Sequence, residues 1–148
     1  MNLDELYQEM ILDHGRRPRN KGTLENPTHH AHGYNPMCGD QVRLQLRVVD
    51  HAVHECKFDG CGCAISTASA SLLTESIKGR PVEEVEALFR KFQDNLLGRD
   101  DLDLGALDCL KGVRAYPDRI KCAMLAWHAL REALEGRPET AGLSVKTE

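Results

Sequence analysis

Between residues 41 and 49 apolar and polar side chains alternate without a break. Val42, Leu44, Leu46 and Val48 are interleaved with Gln41, Arg43, Gln45 and Arg47. In an extended chain successive side chains point to opposite faces, so this strand has one buried and one wet face. Asp50-His51 follows as a turn, and residues 52–58 form a second strand antiparallel to the first. Cys56 and Phe58 lie two residues apart in it, on one face, which makes Cys56 a core residue. Such a sheet needs a cover on one side only, and the rest of the chain supplies helices for it.

The periodicity of residues 2–14 is helical: Leu3, Leu6, Tyr7, Met10, Ile11 and His14 mark one face. Asn2 and Glu5 form a capping box, and Gly15 with Pro18 ends the helix. A second helix runs from Ala64 to about Lys78, after a turn at Asp59-Gly60-Cys61-Gly62-Cys63. Its serines and threonine are weak helix formers, so packing of Ile65, Ala68, Leu72 and Ile77 must hold it. From Pro81, suited to a first helical position, Val82, Val85, Leu88, Phe89, Phe92 and Leu96 make a third stripe. Residues 98–116 carry one or two short helices, with Cys109 packed among leucines. A last helix starts near Pro117-Asp118 and runs to Leu134, buried along Ile120, Ala123, Met124, Trp127, Leu130 and Leu134. The predicted class is α+β: a small antiparallel β-sheet of about three strands covered by helices, with an N-terminal helix and a helical C-terminal half. Residues 1–136 form a single domain and residues 137–148 a flexible C-terminal tail.

An apolar content of 41% and a charged content of 28% fit a globular chain of 148 residues. The net charge of −4 argues against a nucleic-acid partner. No window approaches the roughly 20 apolar residues of a membrane span, and the polar, acidic start is unlike a signal peptide. A cytoplasmic protein is expected, in which six cysteines stay reduced for metal or sulfur chemistry or pack in the core. The basic run Arg16-Arg17-Pro18-Arg19-Asn20-Lys21 is a solvated loop or a docking patch for an acidic surface. His29, His30 and His32 read as an exposed loop or edge strand.

Chemistry concentrates in Asn35-Pro36-Met37-Cys38-Gly39-Asp40, where a thiol and a carboxylate are separated by one glycine. Pro36 stiffens the approach, and Gly39 lets both side chains turn to one point. Cys63 immediately precedes a helix, and Cys122 lies in the first turns of another. Unpaired amides and the dipole at a helix start favour a thiolate, which is both ligand and nucleophile. With Asp40 as a fourth, oxygen ligand, Cys38, Cys63 and Cys122 suit tetrahedral zinc or an anchored Fe–S cluster. The gaps of 25 and 59 residues match no compact ligand motif. Cys61-Gly62-Cys63 is an alternative half-site, and Cys56 and Cys109 remain open on spacing alone.

Three motifs in order, Asn35–Asp40, Gly62-Cys63-Ala64-Ile65-Ser66 with Ala68-Ser69-Ala70-Ser71, and Arg119-Ile120-Lys121-Cys122-Ala123 with Trp127, resemble those of the U-type iron–sulfur scaffold family. The resemblance runs from the first helix to the last. In the IscU-type branch a histidine directly precedes the third cysteine; here Lys121 stands there. The interval between the second and third cysteines is also longer than in that branch. Both departures point to the SufU-type branch.

The resemblance implies a zinc-dependent sulfurtransferase that accepts persulfide sulfur from a pyridoxal-phosphate (PLP)-dependent cysteine desulfurase of the SufS type and serves downstream Fe–S assembly proteins. The implied metal ligands are Cys38, Asp40, Cys63 and Cys122, with Cys38 also the sulfur-accepting, catalytic thiol. Arg119 and Lys121, flanking the third ligand, would support partner docking or a persulfide. Transfer from a closed zinc site requires one ligand bond to open, and a harder oxygen ligand at Asp40 makes that exchange easier. The other reading within the family is a scaffold on which an Fe–S cluster is assembled and transferred.

Overall fold

The computed structural model describes residues 2–136 and 143–146. In chain order it holds α1 (Leu3–Arg16), β1 (His29–Asn35), β2 (Asp40–Val49), β3 (Ala52–Cys61), α2 (Ala64–Ile77) and α3 (Val82–Leu96). A 3-10 helix (Gly105–Ala115), α4 (Pro117–Glu135) and β4 (Leu143–Lys146) complete it. The α+β class expected from sequence is what the chain adopts.

β2 is the centre of the sheet, antiparallel to β3 on one side and to β1 on the other. Val42, Leu44 and Leu46 are buried on its inward face beside Val53, Cys56 and Phe58 of β3. The hairpin turn falls on Asp50 and His51, both with positive φ (52° and 61°), the backbone twist that suits a two-residue antiparallel connection. The histidine tract becomes β1, pairing His29 with Leu46 through to Asn35 with Asp40.

β3 continues to Cys61, three residues beyond the expected end, so Asp59-Gly60-Cys61 is strand and not turn. Gly60 explains the difference. Its φ is +138°, and a Cβ there would lie 2.2 Å from the Gln41 carbonyl oxygen, so only glycine lets β3 stay paired with β2 this far. α1 likewise continues past Gly15 to Arg16, the Arg17 amide closing the last turn on the Asp13 carbonyl at 2.8 Å. Asn2 caps α1 by accepting from the Glu5 amide at 2.9 Å. Pro81 sits one position before the first helical residue of α3. Residues 143–146, expected in the tail, form β4 parallel to β1; residues 137–142 and 147–148 lie outside the described residues.

α2 is the central helix, and its buried Ser69, Ser71 and Thr74 each have a side-chain hydrogen-bond partner. Ser69 Oγ donates to the Ala123 carbonyl of α4 and accepts from Trp127 Nε1 at 3.1 Å. Ser71 Oγ meets His14 Nδ1 of α1 at 2.7 Å, and accepts from the Arg19 amide. Trp127 is fully buried and stacks on Phe92 of α3, 4.6 Å between ring centroids. α4 thus lies between the sheet and the other helices, with Leu125 over Gly33 of β1. No helix among the described residues is long and apolar enough to cross a membrane.

Candidate metal centre

The inward face of the β1–β2 pair changes from apolar to polar at its hairpin end. Asn35 and Asp40 face each other there as the last register pair, and the loop 36–39 connects them. Two bonds tie the loop to Asn35: its carbonyl accepts from Gly39 N at 2.8 Å and its Oδ1 from Met37 N at 3.1 Å. Gly39, with φ +75°, makes the return turn that other residues enter only with strain. The result leaves Cys38 exposed at the loop tip and Asp40 almost fully buried, 2% exposed, at the base.

Two helices bring the remaining thiols. Cys63 is the N-cap of α2, and its sulfur accepts from the Ser66 amide at 3.4 Å, in the manner of a capping hydroxyl. Its own amide donates to Asp40 Oδ1 at 2.9 Å, tying the end of β3 to the start of β2. Cys122 lies in the second turn of α4, 3% exposed.

The Cys38 sulfur is 3.0 Å from Asp40 Oδ2 and 3.7 Å from the Cys122 sulfur. One donor atom from each of Cys38, Asp40 and Cys122 lies within 4.8 Å of the others. Cys63 falls outside that mutually close set, with its sulfur 3.6 Å from Asp40 Oδ2. A tetrahedral site with zinc–sulfur bonds of about 2.3 Å has sulfur–sulfur edges of about 3.8 Å, so the Cys38–Cys122 spacing fits such an ion. The donor set of three thiols and a carboxylate suits it too.

In the thiol form shown, charge is disfavoured at both close sulfurs. Burial is the main cause at Cys38, and the hydrogen bond to Asp40 adds to it; the thiol is pushed above its ordinary range. Cys122 is pushed up strongly by burial, with the neighbouring Cys63 as the next cause. A bound cation would offset that cost and let these sulfurs ionise together. Arg119, one turn before Cys122 on α4, has its guanidinium stabilised in the charged form by Cys122 first and by Cys63 next. Lys121 Nζ lies 3.5 Å from Met37 Sδ, so its side chain spans from α4 to the Cys38 loop.

The other cysteines are apart. Cys56 is buried in the sheet core, with its thiol held far above the ordinary range by burial alone. Cys109 packs in the core, 3% exposed, and is pushed up to about 12 by burial and then by Asp108. Cys61 is exposed in register with Gln41, on the polar side of the sheet opposite Asp40. His29, His30 and His32 join no ligand cluster among the described residues. In the sequence Asn35 stands out only as part of a motif; its burial, 1% exposed, is a tertiary property that the residue type does not announce.

Residues 6–140 match the family model described as the NifU-like N terminal domain, and the chain belongs to that family. The zinc-dependent sulfurtransferase SufU of Bacillus subtilis (strain 168) is 43% identical over 136 residues, covering 90% of this chain and 92% of its own. The iron–sulfur cluster assembly scaffold protein IscU of Streptococcus pyogenes serotype M1 is 37% identical over 136 residues, 90% of this chain and 85% of its own. Among solved structures, a candidate iron–sulfur cluster assembly scaffold protein for the SUF system from Fervidobacterium islandicum AW-1 superposes with a TM-score of 0.82 at 32% identity. That match covers 90% of this chain and 99% of the other. The resemblance read from the three motifs is thus the family to which the chain belongs, with relatives bearing both SufU and IscU names.

Proposed function

We propose that this protein is a zinc-dependent sulfurtransferase that takes persulfide sulfur from a SufS-type, PLP-dependent cysteine desulfurase and passes it to downstream Fe–S assembly proteins in the cytoplasm. The observation that carries the reading is the close set of Cys38, Asp40 and Cys122 with Cys38 alone exposed. The similarity to the B. subtilis protein named as a zinc-dependent sulfurtransferase supports it.

Cys38, Asp40, Cys63 and Cys122 would hold the zinc. When bound, zinc keeps thiols deprotonated at neutral pH and lowers their nucleophilicity while they are coordinated. The chain's own part in transfer belongs to Cys38. Its thiolate attacks the outer sulfur of the desulfurase's cysteine persulfide. The donor's S–S bond breaks, the donor cysteine leaves as a thiolate, and Cys38 carries the new persulfide, with no net oxidation. Buried Asp40 and Cys122 cannot meet a partner's persulfide without the loop moving; Cys38 at the tip can. Arg119 and Lys121 lie beside this approach and supply positive charge for a persulfide anion or an acidic partner surface.

A second reading, assembly of an Fe–S cluster on the same three cysteines, is favoured by the S. pyogenes relative named as a scaffold. Against it, Lys121 in its charged form has no lone pair to offer at the position where a histidine would serve as a ligand. The test is elemental analysis with an absorption spectrum on anaerobically purified protein, followed by desulfurase turnover with and without it. About one zinc per chain, no visible chromophore, and stimulation that is lost in Cys38→Ala support the sulfurtransferase. Iron with acid-labile sulfide and a brown chromophore would replace that reading with the scaffold.

A further inference from the structure

Asn35 carries a hydrogen-bond donor that the fold buries and leaves unused. The residue is 1% exposed, and its Nδ2 has no partner among the described residues. The other end of its amide is fixed, because Oδ1 accepts from Met37 N at 3.1 Å. The free atom is therefore the NH2 group. Leaving a buried donor unsatisfied is costly, so one beside a reactive centre calls for an acceptor.

The surroundings identify the acceptor. Asn35 and Asp40 are register partners, and both are buried on the inward face of the sheet. Two residues back along that face of β1, Gly33 lies under Leu125 of α4. One helical turn from Leu125, in the direction in which β1 runs on from Gly33 to Asn35, is Cys122. The helix therefore carries Cys122 over the end of the strand where Asn35 sits, consistent with a Cys122 sulfur 3.7 Å from that of Cys38 in the adjoining loop. As a thiol, Cys122 is positioned to donate, 3.6 Å from the Asp118 carbonyl. As a thiolate it becomes a buried acceptor. Cys63 already has the Ser66 amide; among the described residues no backbone amide donates to Cys122, which faces the Arg119 guanidinium on its outer side only.

We propose that Asn35 is a positioning residue whose Nδ2–H donates to the Cys122 thiolate in the metal-loaded site. The inference rests on the metal-site reading above. The bond neutralises part of the charge of the one close sulfur that water cannot reach, and fixes its direction. Cys38, exposed at the loop tip, is left as the ligand free to exchange. Anchored Cys122 and releasable Cys38 are what sulfur transfer from a metal site requires.

The test uses full-length protein loaded with 113Cd, with the Asn35 side-chain amide signals assigned by their loss in Asn35→Asp. One Hδ2 proton moves downfield on loading, shows through-bond coupling to 113Cd, and gives an NOE to the Cys122 β-protons. Zinc affinity falls about 10- to 100-fold in Asn35→Ala, the usual range for losing a partner of a metal ligand. Cadmium uptake with unshifted, uncoupled Asn35 protons overturns the inference and leaves the metal site standing. A shift without coupling overturns it as well, because the acceptor is then not a ligand sulfur. Failure to take up cadmium or zinc at all overturns the metal-site reading, and this inference with it.

Discussion

Replacing Gly60 by alanine tests how the fold sets the depth of the site. A Cβ at this position would lie 2.2 Å from the Gln41 carbonyl oxygen, 2.9 Å from its carbon and 3.0 Å from Val42 Cα. All three are backbone atoms of β2, so no side chain can move aside, and φ of +138° is itself a region closed to L side chains. Backbone strain of about 1–3 kcal/mol and overpacking of about 1–3 kcal/mol give roughly 4 kcal/mol together. For a chain of this size that lowers Tm by about 8–16 °C. Gly39→Ala is the control: its φ is +75° but nothing lies within 4 Å of the added Cβ. Strain alone, about 1–2 kcal/mol, lowers Tm by about 2–8 °C. Relief of the Gly60→Ala clash requires β3 to part from β2 just before Cys63, whose amide holds Asp40. Zinc affinity should therefore fall with stability in Gly60→Ala. Thermal unfolding by circular dichroism, in chelator and in saturating zinc, reads both effects. A Tm loss for Gly60→Ala no larger than for Gly39→Ala would refute the claim that contact with β2 restricts this position to glycine.

Brief alkylation of native, metal-free protein should label Cys61 and Cys38 and spare Cys56 and Cys109, which are buried and held protonated; peptide mass spectrometry checks it, and early labelling of Cys56 would contradict the core assignment. His14, His29 and His128 are each held below the ordinary histidine range, with burial the leading cause. Because the unfolded chain takes up those protons first, stability should be full above about pH 6.5 and fall as pH drops below it; urea midpoints that stay flat from pH 7 to 5.5 would exclude this. Neutralising Arg119 and Lys121 together should reduce desulfurase stimulation several-fold at low salt and less at high salt, and equal stimulation at both would remove their role. Lys121→His adds a nitrogen ligand beside Cys122, and should raise Fe–S retention after anaerobic reconstitution, read by visible absorption; retention equal to the parent would show that Lys121 does not discriminate between the two readings.

The sheet was legible because β2 alternates without interruption and β3 follows it across a short turn; periodicity at one strand specifies the buried face of both. β1 was harder. His29, His30 and His32 carry no apolar alternation, and the strand exists because its backbone pairs with β2 and because Gly33 is small enough to lie under Leu125 of α4. The end of β3 is hidden in the sequence for a related reason: glycine is a turn signal on its own, and only the approach of the Gln41 carbonyl makes Gly60 a strand residue. At the site, Cys63 and Cys122 were visible as thiols at helix starts, and Asp40 as the carboxylate beside Cys38. Sequence spacing could not show that Cys63 would stand at the edge of the close set, or that Asn35 would be buried with a free donor. Both depend on how far α4 and the end of β3 descend onto the sheet.

That descent links the core to the chemistry. The inward face of β2 runs Leu46, Leu44, Val42, Asp40, so the ladder that buries the core also delivers a carboxylate, 2% exposed, at its end. The Leu125-over-Gly33 contact that closes the core over β1 sets where Cys122 lies on the same helix. A Cβ at 33 would meet the side chains of Leu125 and Val42 at 3.1 Å, so a residue larger than alanine there would press on the helix that carries Cys122. The loop bearing Cys38 is not packed in this way: its backbone is tied at Asn35, Lys121 reaches it from α4, and its tip is exposed. On the proposed reading, three donors rooted in packed elements and one on a tethered loop would make a centre whose rigid part is set by core packing. The Cys38 thiol could then move without unfolding anything else.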